Sequence, residues 1–155
     1  VLFVCTGNIF RSLTAEHALR HALRASADVH VSSAGTVDFP HVVRPNVRDY
    51  LLSKGLDVSG HRRRTLTEAM LNESHLVIAM STDHQTHIQE RFGRATVLFL
   101  EACGELAGAL PDIEEVVLDY RSNPAAVDAH VRATIDRIVS LMPRLASRLD
   151  SLLKS

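Results

Sequence analysis

The stretch Val1-Leu2-Phe3-Val4-Cys5-Thr6-Gly7-Asn8-Ile9-Phe10-Arg11-Ser12 decides how the chain is read. Its first five residues are a short apolar run of the kind that forms a fully buried strand. A helical pattern follows from about Leu13 to Ala25, with Ala15, Leu19, Ala22 and Leu23 at helix spacing on one face. The loop between them therefore joins a strand to a helix N-terminus, where backbone N–H groups can converge on an anion. Gly7 can take backbone angles closed to other residues, and Asn8 tolerates the left-handed region, so the loop can curl around one phosphoryl group. Arg11 can close the ring with two parallel hydrogen bonds to phosphoryl oxygens. A thiol at Cys5 would meet inward N–H dipoles, Arg11 and the Ser12 hydroxyl, an environment that favours the thiolate and makes Cys5 a nucleophile.

Outward from this loop, three more segments read as buried strands: Val29 to Ser32, Leu76 to Met80 and Thr96 to Leu100. Asn46 to Lys54 reads as a helix with Gly55 as its C-terminal cap. Thr65 with Glu68 and Thr82 with Gln85 have capping-box spacing at two further helix starts. Cys103 to Pro124 reads as a long irregular loop. A last helix begins near Ala125 with Val127, Val131, Ile135, Ile138, Val139 and Met142 on one stripe, and Pro143 is expected to kink or restart it. Alternating strands and helices with right-handed crossovers give an α/β fold, a parallel sheet covered on both faces whose ligand site lies at the carboxyl ends of the strands. The first strand ends at Cys5.

The totals narrow the function classes. A chain of 155 residues, 46% hydrophobic and without an internal linker, is expected to be a single domain over 1–155. Seventeen Lys and Arg balance eighteen Asp and Glu, so no general attraction to nucleic acid or to an anionic membrane is expected. No apolar run approaches the ~20 residues of a membrane helix, and no leader is expected. Two distant cysteines, Cys5 and Cys103, fit a reducing cytoplasm rather than a disulfide framework.

Val1 to Arg11 with Ser12, Ala15 and Glu16 resembles the opening of the low-molecular-weight protein tyrosine phosphatases. Ser33-Ala34-Gly35-Thr36, Gly55-Leu56-Asp57, Gly60-His61-Arg62 and Ala79-Met80 resemble that family's later signposts in order. The resemblance implies a flavodoxin-like four-stranded sheet, a cysteinyl-phosphate intermediate, no metal or other cofactor, and an aspartate general acid on the loop after the fourth strand. It makes Cys5 the nucleophile, Arg11 the phosphate ligand and Ser12 the hydroxyl that stabilises the departing thiolate. Thr6, Gly7, Asn8, Ile9 and Phe10 complete the loop, and Asn8, Ser33 and His61 form its supporting polar network. The implied substrate is a phosphotyrosine protein or aryl phosphate, with inorganic phosphate as product and inhibitor.

Three positions depart from the family pattern. Phe10 stands where many members carry a second, protective cysteine, and Leu13 replaces a common proline. The Asp-Pro that carries the acid is missing. Asp119-Tyr120-Arg121 and Pro111-Asp112 are its candidate equivalents, and the spacing from Asp119 to His130 and the last helix favours Asp119. Tyr120 and Phe39 would then wall the substrate.

Elsewhere, Arg62, Arg63 and Arg64 read as a solvated basic run, Cys103 as an unreactive loop thiol, and the pairs His17/His21 and His84/His87 as exposed helix histidines rather than metal ligands. Competing functions are a protein arginine phosphatase, against which the bulky Ile9 argues, and a thiol-dependent arsenate reductase, for which further cysteines are lacking. A non-catalytic phosphate-binding module with a displaced acid is a third.

Overall fold

In the computed structural model, which describes residues 1–23, 28–38, 42–106 and 108–154, the chain forms a four-stranded parallel sheet in the order β2-β1-β3-β4. The strands are β1 (Leu2–Cys5), β2 (Ser32–Gly35), β3 (Val77–Ala79) and β4 (Val97–Leu98). Among the described residues seven helical segments accompany them: α1 (Arg11–Leu23), α2 (Pro45–Ser53), α3 (Glu68–Asn72), α4 (Thr82–Phe92), α5 (Phe99–Ala102), α6 (Ile113–Val116) and α7 (Pro124–Leu152).

Strand residues alternate between the two faces, as pleating requires. Phe3, Cys5, Ile78 and Met80 join a core with residues of α1, α2, α5 and α7, among them Leu19, Leu51, Phe99, Ile135 and Ile138. Leu2, Val4, Ala34 and Val77 face the other way, against Leu71 of α3 and Ile88 of α4. Helices thus cover both faces, as expected for an α/β fold of this order.

Several boundaries differ from the sequence reading. The second strand is not Val29 to Ser32 but Ser32–Gly35, because pairing begins where β1 begins: the Ser32 N–H donates to the Val1 carbonyl at 2.9 Å, and Ser32 to Gly35 run beside Leu2 to Cys5. The polar Ser33 is tolerated in a buried strand because its hydroxyl is hydrogen-bonded to Glu16 and Asn8. The fourth strand is only Val97–Leu98; Phe99 enters a helical turn and packs its ring 6.4 Å from that of Phe3.

The caps also move. Thr67, not Thr65, caps α3 through a bond from the Met70 N–H, and Ser81, not Thr82, is the N-cap of α4. Gly55 has φ 79°, the left-handed geometry expected after α2. The loop between Cys103 and Pro124 contains the short α6, capped by Asp112. Asn123 caps α7, and the Ala25 end expected for α1 lies outside the described residues.

Helix α7 runs through Pro143 without a restart. Pro143 is exposed, so its ring contributes little packing while it removes one backbone donor from the helix interior. Replacing Pro143 with Ala should raise unfolding free energy by ~1–3 kcal/mol, measured by urea denaturation; a decrease would show that the ring has a packing role here.

Candidate active site

The carboxyl ends of β1 and β2 meet at Cys5 and Gly35, and the loop from Thr6 to Phe10 leaves the sheet there to enter α1. Its shape is fixed by Asn8, which is fully buried and has φ 55°. Gly7 is not in the positive-φ region; the left-handed turn expected of the pair falls on Asn8 alone. Every polar group of the Asn8 side chain is used. Its Nδ2 donates to Ser12 Oγ at 3.0 Å and to Ser33 Oγ at 2.7 Å, and its Oδ1 accepts from the Arg64 N–H at 2.9 Å. The Asn8 carbonyl accepts from His61 Nε2, also at 2.9 Å, which sets that histidine's tautomer.

Behind Asn8 stands a buried carboxylate, Glu16, bonded to the Ser33 hydroxyl and to Arg20 at 2.6 Å. Arg64 lies 3.8 Å from it. Burial holds the His61 and His17 pKa values below normal, and the two rings meet edge to face at 5.8 Å. Arg63 donates to the Val37 carbonyl. Of the three arginines read as a solvated run, Arg64 braces the loop through its backbone N–H, and Arg63 holds the segment after β2.

Cys5 sits at the head of the loop, 2% exposed. Its sulfur lies 3.0 Å from Ser12 Oγ and accepts from the Asn8 N–H at 3.3 Å. Cys103, the other cysteine, is buried in the core, and its thiol is pushed up to about 12, chiefly by burial. Such a group is a poor nucleophile at neutral pH.

Arg11, at the start of α1, is 1% exposed. Its Nη1 donates to the Leu110 carbonyl at 2.9 Å, and its Nη2 donates to Thr6 Oγ1 at 3.2 Å and to the Asp112 carboxylate. The other oxygen of Asp112 caps α6 through the Ile113 N–H at 2.8 Å. Cys5, Thr6, Gly7, Ile9, Phe10, Arg11, Val37, Arg44, Val47, Asp112, Ile113 and Glu114 line one cavity of about 370 Å³. The cavity has a cation and a thiol at its base, aliphatic walls and a carboxylate on the cation. Such a site can hold an anionic phosphoryl group against sulfur with an apolar substituent above it.

The structure does not bring Asp119 to this cavity. Its carbonyl accepts from the Ser122 and Asn123 N–H groups, and its carboxylate accepts from Asn123 Nδ2 at 3.0 Å, in the turn that opens α7. Spacing to His130 favoured Asp119, but the turn before Asn123 takes up the intervening residues and leaves Asp112 at the mouth. Tyr120 follows it away from the cavity, half-buried against the core, with Arg121 Nε donating to its hydroxyl at 3.1 Å. Phe39 lies outside the described residues.

Val37, Arg44, Ile113 and Glu114 of the lining carry no local sequence signal for the site, and neither do two residues that shape it, Gly35 and His84. Gly35 stands in a run of small residues with no signal of its own, yet a Cβ there would lie 2.6 Å from the Thr6 carbonyl oxygen. The sequence pattern reads His84 as an exposed helix residue. It is instead 4% exposed, with Nε2 2.9 Å from Thr6 Oγ1 and Nδ1 2.8 Å from Ser81 Oγ. Burial, and then the nearby Arg11 charge, push its pKa down to about 4. Only its place just after β3, whose carboxyl end points at the site, hinted at this role.

A loop between a parallel strand and a helix, with cysteine at its head and arginine at its close, is an arrangement that can hold an anionic group against a thiol. The chain matches the family described as low molecular weight phosphotyrosine protein phosphatase over residues 1–152, and it belongs to that family. It is 31% identical over 140 residues to the low molecular weight protein-tyrosine-phosphatase Etp of Escherichia coli K12, covering 88% of this chain and 87% of that protein. It is 35% identical over 96 residues to the protein-arginine-phosphatase of Bacillus subtilis, covering 61% of this chain. The matched stretch spans 61% and 63% of the length of two of its curated relatives. Among solved structures, a YwlE mutant from Bacillus subtilis superposes with a TM-score of 0.80 at 28% identity, covering 96% of this chain and 97% of that one.

The contact at Gly35 gives a direct test of how the loop is held. Gly35→Ala should force the Thr6 carbonyl away, because atoms at that separation overlap. The expected result is a folded protein whose affinity for inorganic phosphate, measured by calorimetry, falls at least ~10-fold. Affinity equal to the parent's would mean that the loop does not depend on this approach.

Proposed function

We propose that this protein is a phosphatase that hydrolyses phosphotyrosine in proteins, or a similar aryl phosphate, through a cysteinyl-phosphate intermediate. The observation that carries the reading is that Cys5, Arg11 and the Asp112 carboxylate share one cavity. The Cys5 thiolate attacks phosphorus, the bond from phosphorus to the tyrosine oxygen breaks, and a carboxylic acid gives its proton to that oxygen. Water then attacks the cysteinyl phosphate, the carboxylate takes the water's proton, and inorganic phosphate leaves with the thiolate restored.

Backbone N–H groups of Thr6 to Phe10 and the Arg11 guanidinium carry the phosphoryl charge. Ser12 donates to the sulfur, while Asn8, Ser33 and His61 hold the loop in shape. Asp112 is the general acid in this reading, supported by its place in the cavity that Cys5 lines; Asp119, engaged at the start of α7, is not.

The aliphatic wall of Ile9, Val37, Val47 and Ile113 supports an aromatic substituent. A second substrate reading, phosphoarginine, is supported by the protein-arginine-phosphatase relative and by two carboxylates, Asp112 and Glu114, at a mouth that a guanidinium would enter. The family match over 1–152 supports one domain, and two free cysteines suit a reducing cytoplasm. No described helix is long and apolar enough to cross a membrane.

Turnover of phosphotyrosine and phosphoarginine peptides tests the substrate, with the former expected to be preferred. Asp112→Asn should lower kcat on a phosphotyrosine peptide ~100- to 10,000-fold, and much less on an aryl phosphate with a good leaving group. Asp119→Asn should stay within about threefold of the parent. Exchanged results would return the acid to Asp119; no effect from either would favour a phosphate-binding module.

A further inference from the structure

Thr6 Oγ1 sits between two groups of different kinds. On one side is Arg11 Nη2 at 3.2 Å, and on the other His84 Nε2 at 2.9 Å. A guanidinium can only donate, so the Thr6 oxygen must accept from Arg11. The Thr6 proton is then free for Nε2, which accepts it only while the imidazole is neutral. In that tautomer Nδ1 carries the ring proton and donates to Ser81 Oγ at 2.8 Å, so both ring nitrogens are satisfied. His84 does not line the cavity and touches neither Cys5 nor Asp112 through a hydrogen bond.

We propose that His84 is a positioning residue for Arg11: through Thr6 it fixes the hydroxyl with a lone pair toward Nη2, and so sets the plane of the guanidinium that clamps the phosphoryl group. This rests on the reading of the cavity as a phosphoryl site. Without the bond to His84 the Thr6 hydroxyl is free to rotate, and its proton can point at the guanidinium. Arg11 must give up Asp112 when phosphate arrives, and the contacts to the Leu110 carbonyl and Thr6 are then what keep it oriented. Burial and the Arg11 charge keep the ring neutral near pH 7, with Asp112 opposing and His87 of α4 adding to the shift. A protonated His84 would present an N–H, and a second positive charge, toward the same hydroxyl.

Side chains that imitate one ring nitrogen at a time separate this role from simple packing. Gln places its amide near Nε2 and can still reach Thr6; Asn imitates Nδ1 and keeps only Ser81. His84→Asn and Thr6→Val should each weaken inorganic phosphate binding, read by calorimetry, roughly 10- to 100-fold, the size of one lost hydrogen bond to a charged group. They should lower kcat/KM on a phosphotyrosine peptide to a similar degree. The double variant should fall within about twofold of the weaker single one, because both break the same relay. His84→Gln should recover binding to within about threefold of the parent. Losses that multiply in the double variant, a Gln variant as weak as the Asn one, or parent-like binding by Thr6→Val would each overturn the proposal. Should His84→Asn fail to fold, Thr6→Val with an unchanged melting temperature decides by the same binding measurement. Phosphate binding needs no turnover, so a parent that binds phosphate but leaves phosphotyrosine intact would sink the proposed reaction without touching this assignment.

Discussion

The site depends on one residue held in an unfavourable backbone conformation by a complete set of hydrogen bonds. Asn8 takes φ 55°, a region that costs most residues with a side chain roughly 1–2 kcal/mol and that Asn enters more readily than they do. It stays there because Ser12, Ser33, Arg64 and His61 satisfy its side chain and carbonyl in a buried setting. Each of those groups, left unpaired by any other conformation, would cost about 1–3 kcal/mol, so the strained turn wins. Glu16 anchors this set from below, and Gly35 lets the second strand come close enough to complete it. The Asn8 N–H is thereby aimed at the Cys5 sulfur.

Charge is organised by the same frame. Arg11 is almost wholly buried, and a buried guanidinium needs its donors filled. The Leu110 carbonyl, itself positioned by the bond from the Leu110 N–H to the Met80 carbonyl at 3.0 Å, fills one of them. Thr6 and Asp112 fill others. Leu110 and Asp112 lie on the segment after α5, so the cation ties that segment to the loop. The contact with Asp112 pairs two full charges at the cavity mouth, and in the proposed reaction a phosphoryl oxygen would take its place.

Much of this was legible in the sequence, and the parts that were not share a cause. The loop from Cys5 to Ser12, the four-stranded parallel sheet and the long last helix could be read from local signals, namely apolar runs, helix spacing and the residue types an anion loop needs. Strand two was read too early because Val29 and Val31 are apolar while Ser33 and Gly35 are not. Yet Ser33 is there for Glu16 and Asn8, and Gly35 for the approach of Thr6. Asp119 was favoured over Asp112 by spacing along the chain, and spacing does not register the turn closed by Asn123. His84 looked like a surface residue because its partners, Thr6 and Ser81, come from different strand ends. Residues whose role is set by a distant segment carry no local signature.

The central claim is that the Asn8-held loop presents Cys5 as the nucleophile, and the most direct measurement is where the phosphoryl group resides during turnover. The protein would be mixed with a phosphotyrosine peptide carrying isotopically labelled phosphate, denatured within milliseconds, digested and analysed by mass. The account predicts labelled phosphate on the peptide that contains Cys5, appearing before free phosphate and decaying as it forms. Label on any other side chain, or phosphate release with no labelled protein at any time point, would contradict it.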